Sequence, residues 1–184
     1  VSEGGNLGAT QNGRIEFALA GGRIFTDAID NSAGVDCSDH EVNVKIWLDT
    51  EVNAGDLPEA DRNRILNEMP GEIERLVLRD NTQQTHLLTR EGQAQSDASV
   101  VDGYASLITS LEKEGALSRE LEQLPTDAEL QRRKASGHGL TAPELAVVIA
   151  NVKNRFKRTL LALPLTDEPW AATVLKPYFP AQLV

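Results

Sequence analysis

The chain has little cysteine, few aromatic residues and no basic excess, and each shortage excludes a class of protein. The single cysteine excludes an internal disulfide and suits a reducing compartment, so we expect a cytoplasmic protein. Aromatic residues make up only 4% of the chain, so its core must be mainly aliphatic. The net charge of −10 argues against a nucleic-acid surface and, more weakly, against an anionic membrane. We therefore expect neither nucleic acid nor membrane among its partners.

Long apolar runs are also missing. No stretch approaches the roughly 18 residues of a membrane span. The first residues are rich in glycine and acidic, unlike a signal peptide. Hydrophobic residues nevertheless make up 40% of the 184 residues, which is enough for a core in one domain, or in one domain and a piece of another.

The glycines divide the chain into two parts. Seven of the 14 glycines fall in the first 34 residues, which predicts tight chain reversals there. The sequence "NAGD" at residues 53–56 then interrupts the pattern, and helical periodicity dominates beyond it. We predict two units, residues 1–52 and 53–184.

The first unit has an α/β pattern. "VSEGGN" (1–6) and "RIF" (23–25) are predicted strand segments, and "TDAIDN" (26–31) is predicted to be a loop. Thr10 is a predicted N-cap for a helix that ends at Gly21 and Gly22. A second helix is predicted from about residue 32 or 33 to 48, with one face formed by Val35, Ser38, Val42 and Ile46. Strands alternating with helices predict a partial Rossmann-type segment.

The second unit reads as successive helices. "TDAE" (126–129) and "TAPE" (141–144) are capping boxes, each of which predicts a helix start. The first three predicted helices of this unit are 57–68, which Asp56 caps, 71–90 and 97–114. Each capping box starts a further helix, and the second of these reaches about residue 161. A last helix is predicted from about residue 167 and ends before Pro180. The predicted fold is thus mainly α with a small α/β part, followed by a C-terminal helical bundle.

The stretch from residue 21 to 43 has the highest density of reactive side chains. Asp36, Cys37, Asp39, His40 and Glu41 are crowded together, but one cysteine without a paired motif is a poor zinc signature. We interpret the acidic residues as helix-start residues favoured by the helix dipole, and we predict no metal. A nucleophilic Cys37 is the alternative to a small buried residue, although the surrounding carboxylates oppose thiolate formation.

Two further segments have two interpretations each. "EGGNLG" (3–8) does not match a dinucleotide fingerprint, and no P-loop lysine follows it, so it is either a simple turn or a ligand-contacting loop. Residues 128–160 contain seven basic and two acidic residues. They form either a solvated helical face or a contact with an acidic neighbouring domain.

Several long motifs resemble one family. "EGGNLGATQNGRIEFALAGGRIFTDAIDNSAGVDCSDHEVN", "LVLRDNTQQTHLLTRE", "LEKEGALSRELEQLPTDAEL", "GLTAPELAVVIANVK" and the terminal "YFP" resemble the C-terminal portion of the large bacterial NAD-specific glutamate dehydrogenases. The resemblance covers essentially the whole chain. It implies that the chain comprises the end of the catalytic dinucleotide domain and the helical C-terminal domain.

Two shorter motifs resemble the small glutamate dehydrogenases and imply specific roles. "EGGN" (3–6) is similar to their E-G-A-N, and "NSAGVDCS" (31–38) to their N-A-G-G-V-x-x-S, with differences at Gly5, Ser32, Ala33 and Asp36. The resemblance assigns Asn6 and Asn31 to cofactor binding, with Asn31 also near the substrate. It assigns Ser38 to the distal carboxylate of the substrate.

The resemblance implies an enzyme that converts L-glutamate, NAD and water to 2-oxoglutarate, ammonia and NADH. The family's catalytic lysine, catalytic aspartate and phosphate loop have no counterpart in these motifs. We therefore expect the remaining N-terminal part of the same polypeptide to be a partner, the chain alone to be inactive, and the full-length enzyme to be a homo-oligomer. The alternative is a non-catalytic helical module for regulation or oligomerisation.

Overall fold

The computed structural model of the protein describes residues 1–165 and 167–183, and every regular element within them is helical. The predicted mainly α class is therefore confirmed. The α-helices are α1 Gln11–Leu19, α2 Asp27–Asp30, α3 Ser32–Ala54, α4 Glu59–Glu68, α5 Pro70–Ala94, α6 Ala98–Lys113, α7 Asp127–Ala135, α8 Ala142–Leu161 and α9 Pro169–Leu175. Two short 3₁₀ turns follow, Lys176–Tyr178 and Ala181–Leu183.

Local capping explains where several of these helices begin. The hydroxyl of Thr10 accepts a hydrogen bond from the Gly13 N–H at 3.1 Å, and the Asp97 carboxylate accepts one from the Ser99 N–H at 2.8 Å. The C-terminal end of α3 is marked by Gly55, whose φ of 84° is the left-handed conformation typical of a helix C-terminus. Side-chain acceptors satisfy N–H groups that the first helical turn leaves free, so these helix starts follow from sequence. The predicted end of the second helix at residue 48 is wrong, because α3 continues to Ala54.

The two predicted strands are absent from the described residues. The amino group of Val1 donates to the Arg23 carbonyl at 2.9 Å, so the two segments do lie side by side. Beyond it, the Glu3 N–H donates to the Asp30 carbonyl, just before α3, rather than to residues 23–25. A strand is defined by a repeated ladder with a neighbour, and one contact does not make a ladder. The predicted loop at 26–31 is also wrong in part, because α2 occupies Asp27–Asp30.

The long helix α3 buries a different face from the predicted one. Val35, Val42 and Ile46 are 43%, 51% and 59% exposed. The buried residues of α3 are Ser32, His40, Val44 and Leu48, and α3 packs along α5. The predicted face was chosen from apolar spacing alone, whereas the position of α5 determines which side is covered.

The core consists of two aliphatic clusters that both include residues from the first 52 positions. The larger one joins Ile29 to residues of α5, α6, α7 and α8, among them Leu88, Ile108 and Leu145. The smaller one joins Val44 and Leu48 to Met69 and its neighbours. The division at residues 52 and 53 remains a prediction. No helix among residues 1–165 and 167–183 combines the length and the apolar character required to span a bilayer.

Candidate functional site

The glycine-rich segment before α1 forms an exposed loop, residues 3–10. A Cβ placed on Gly4 or Gly5 would meet no atom within 4 Å, so the backbone there is open to close approach. The loop is nevertheless fixed at two points. The Glu3 carboxylate accepts a hydrogen bond from the Gly8 N–H at 3.0 Å, and Asp27 accepts one from the Leu7 N–H at 2.5 Å.

A buried arginine underlies this loop. Arg14, on α1, is 1% exposed and forms ion pairs with Glu3 and, at 3.0 Å, with Asp30. Its guanidinium also donates to the Phe25 carbonyl at 3.1 Å. Burial raises the pKa of the Asp30 carboxyl, while the hydrogen bond from the Phe25 N–H and the nearby Arg14 act in the opposite direction. Sequence reasoning did not identify Arg14, because its partners lie 11 and 16 residues away.

The two predicted cofactor residues meet beside this network. The Asn31 carboxamide donates to the Asn6 Oδ1 at 2.5 Å, across 25 residues of sequence. Asn31 lies between α2 and α3 and is 2% exposed, whereas Asn6 is exposed on the loop. Asn6 is therefore the outer member of the pair.

Two neighbours hold the α2–α3 junction in place. A Cβ on Gly34 would lie 2.7 Å from the Asn31 Oδ1, so any larger residue would displace the amide from this position. From α5, the Asn81 carboxamide donates to the Ile29 carbonyl at 2.8 Å and to the Ser32 hydroxyl at 2.6 Å. Asn81 was also missed, since no local signal links it to residues 29–32.

Ser38 lies on α3, whereas Asn31 is the residue that precedes this helix. The seven-residue spacing corresponds to about two turns, so the two residues are roughly 10 Å apart along the helix axis. Ser38 is exposed. Ser38 is in the second turn of α3, which begins at Ser32. The interpretation of Asp36, Asp39 and Glu41 as helix-start residues is wrong, because the first turn of α3 contains no acidic residue.

Among residues 1–165 and 167–183, the structure shows no hydrogen-bond partner that would activate Cys37 as a nucleophile. Cys37 is half-buried with a free thiol. The histidine nearest to it in sequence is His40, whose Nε2 lies 3.5 Å from the Asp80 carboxylate on α5.

The candidate site is open surface rather than an enclosed cavity. Two surface grooves, of about 500 and 340 Å³, lie along α6 and α7 and between α1 and the 119–125 segment. Neither is lined by Asn6, Asn31 or Ser38. These residues instead lie around the exposed loop and the first two turns of α3.

Comparison with known proteins assigns both ends of the chain. Residues 1–91 match the family model for the catalytic domain of bacterial NAD-glutamate dehydrogenase, and residues 137–184 match the model for the glutamate dehydrogenase C-terminal region. The chain is 48% identical over 184 residues to an NAD-specific glutamate dehydrogenase of Mycobacterium tuberculosis. It is 44% identical over 189 residues to that of Halomonas elongata and 45% identical over 183 residues to that of Pseudomonas aeruginosa.

The chain therefore belongs to the family of bacterial NAD-specific glutamate dehydrogenases. All 184 residues are covered in the comparison with the Mycobacterium tuberculosis protein. The chain spans 11% of the length of each of these relatives.

Proposed function

We propose that this chain forms one wall of the cofactor and substrate crevice of an NAD-dependent glutamate dehydrogenase. The reaction is oxidation of L-glutamate, with water, to 2-oxoglutarate and ammonia. Hydride acceptance is the chemistry that NAD supplies when bound. The observation that carries the proposal is the Asn6–Asn31 hydrogen bond, because it joins the two residues that the family motifs assign to the cofactor.

The polar groups around this bond fit a carboxamide ligand. After the bond forms, the Asn6 Nδ2 and the Asn31 Oδ1 have no hydrogen-bond partner among residues 1–165 and 167–183. One donor and one acceptor side by side complement a primary amide such as that of nicotinamide. Because Asn31 is 2% exposed, the proposed cofactor contact is made first by Asn6, which Asn31 orients.

Ser38 supplies a second polar contact further along α3. Its exposed hydroxyl lies on the face that also exposes Val35 and Val42. Ligand sites typically combine an apolar lining with a few placed polar groups. We assign Ser38 a hydrogen bond to the distal carboxylate of glutamate, with the apolar neighbours contacting the methylene groups.

The test is the Ser38→Ala substitution in the full-length enzyme, followed by steady-state kinetics. Hydrogen bonds to charged groups contribute about 1.5–3 kcal/mol, so kcat/KM for glutamate should fall by about tenfold to a hundredfold. The bond is present in ground and transition states alike, so KM should rise while kcat changes little. NAD affinity should be unchanged.

Two controls separate a substrate contact from a structural effect. Thr50→Ala removes another exposed hydroxyl from α3, one that donates to the Ile46 carbonyl of its own helix, and should leave the kinetics unchanged. A neutral amino acid substrate should lose little activity with Ser38→Ala, because it never made the bond. Equal losses for glutamate and the neutral substrate would contradict the assignment. Asn31→Ala should instead disturb the kinetics of both NAD and glutamate.

The second candidate function is a docking module formed by the C-terminal helices. The observation that favours it is a group of exposed apolar residues in α8, α9 and their connection: Phe156, Leu161, Leu163, Trp170, Val174 and Leu175. Such surface suits contact with the remainder of the polypeptide or with another subunit of a cytoplasmic homo-oligomer. Trp170→Glu in the full-length enzyme distinguishes the two functions: docking between subunits predicts a change in oligomeric mass, whereas a crevice role alone predicts none.

A further inference from the structure

A second polar cluster lies on the side of α3 that faces α5. Asp36 and His40 are one helical turn apart, and Asp80 is on α5. One donor atom from each of the three side chains lies within 4.8 Å of the other two. The proposed crevice does not use this cluster.

The histidine of this cluster is buried without a hydrogen-bond partner. His40 is 0% exposed, and within the described residues neither of its ring nitrogens forms a hydrogen bond. The Oδ2 of Asp36 is also buried and unpaired in that part of the chain. Buried polar groups are normally satisfied, so unpaired donors and acceptors that converge on one point indicate a missing ligand.

The surroundings orient these groups and leave negative charge in excess. Arg79 donates to Oδ1 of Asp80 at 2.9 Å, which leaves Oδ2 facing His40. The ring of Tyr178 stacks on the His40 ring with a centroid separation of 4.6 Å. Burial raises the pKa of the Asp36 carboxyl against the effect of His40, and the neighbouring carboxylates add to the rise. A divalent cation would compensate this charge.

We propose that Asp36, His40 and Asp80 bind one divalent transition-metal ion, with Zn²⁺ as the best match, and thereby link α3 to α5. One imidazole nitrogen and two carboxylate oxygens suit zinc, whereas magnesium and calcium prefer oxygen ligands alone. Zinc binds such donors at about 2.0–2.2 Å, so the donor atoms must approach one another to about 3.4 Å by small side-chain rotations. The residue after Asp80 is Asn81, which anchors the α2–α3 junction. The ion would therefore also stabilise the hydrogen bonds by which Asn81 holds the α2–α3 junction, where Asn31 lies.

The direct test is titration of the chelator-stripped 184-residue chain with ZnCl2 by calorimetry, together with its thermal midpoint. We expect one ion per chain and, at about 100-fold excess over Kd, a rise in Tm of about 5–10 °C. Asp36→Asn should lower the affinity by more than about 100-fold, since even outer-shell partners contribute about 10–100-fold. This variant removes a buried charge and should fold, which keeps the test usable if His40→Gln or Asp80→Asn does not.

A matched control and a spectroscopic measurement exclude other modes of binding. His86→Gln removes an exposed histidine from the same helix, α5, and should leave zinc binding unchanged. With Co²⁺ as the probe, the wild-type chain should show only weak d–d bands, and Cys37→Ser should bind as well as wild type. The proposal is overturned by the absence of saturable 1:1 binding, by unchanged affinity in Asp36→Asn, or by an intense thiolate charge-transfer band that depends on Cys37.

Discussion

Replacement of Gly34 by alanine is the sharpest test of the junction that supports the proposed cofactor pair. The new Cβ would lie 2.7 Å from Oδ1 and 3.0 Å from Nδ2 of Asn31. Asn31 is buried and holds Asn6 at 2.5 Å, so its amide must move and the hydrogen bond must break.

The expected magnitude follows from three contributions. Overpacking costs about 1–3 kcal/mol, and the lost hydrogen bond costs about 0.5–1.5 kcal/mol. Glycine to alanine inside a helix recovers about 0.8–1.0 kcal/mol. The net destabilisation is about 2 kcal/mol, which for a chain of this size lowers Tm by roughly 4–8 °C.

Urea denaturation, monitored by circular dichroism, measures this change in the free energy of unfolding, and two variants serve as controls. Gly103→Ala, inside α6, would meet no atom within 4 Å and should raise the free energy of unfolding by about 0.5–1 kcal/mol. In an Asn31→Ala background the amide is gone, so Gly34→Ala should become stabilising by a similar amount. If Gly34→Ala stabilises the wild-type chain as much as Gly103→Ala does, the close packing around Asn31 is refuted.

The remaining predictions concern the capping box of α8, the pH dependence of stability and the activity of the chain. Thr141 donates to the buried Glu144 carboxylate through its N–H at 2.6 Å and its hydroxyl at 2.7 Å. Thr141→Ala should therefore lower the free energy of unfolding by about 0.5–2 kcal/mol. Thr126→Ala should lower it by less, because the capping hydrogen bond of Thr126 is exposed, and equal urea midpoints for the two variants would contradict this. Burial raises the pKa of Asp36 in the folded state above its ordinary value of 3.8, so the folded chain binds more protons at this residue than the unfolded chain does. The free energy of unfolding should therefore fall as the pH rises from below 3.8 through the raised pKa. In EDTA, which keeps metal ions off the protein, Asp36→Asn should remove this part of the pH dependence of the urea midpoint, although His40, Asp80 and Asp39 are still in place. If the urea midpoint of Asp36→Asn depends on pH as that of the wild-type chain does, the effect does not come from Asp36. The purified 184-residue chain should form no NADH from glutamate and NAD, and measurable turnover would refute that expectation.

Most helix positions follow from sequence because capping is local. Thr10, Asp97 and Thr126 each accept a hydrogen bond from an N–H two or three residues ahead, so the helix start can be predicted from a few consecutive residues. The family can also be recognised from the sequence, because its long motifs are runs of consecutive residues.

The faces and partners of these helices depended on tertiary structure. Apolar spacing on α3 favoured Val35, Val42 and Ile46, but α5 covers the side with His40, Val44 and Leu48. The predicted strands fail because a strand depends on a neighbour that local sequence cannot supply.

The proposed sites show the same division. The motifs gave Asn6, Asn31 and Ser38, whereas the contact between Asn6 and Asn31 arises from the loop that Arg14 holds over the α2–α3 junction. His40 was visible in the sequence as a neighbour of Asp36, but its third partner, Asp80, is 40 residues away on another helix. Sequence alone determined most of the helix starts and the family, because both are encoded in consecutive residues. Only the packing of α3 against α5 decided which side chains are buried together, because burial depends on residues that are distant along the chain.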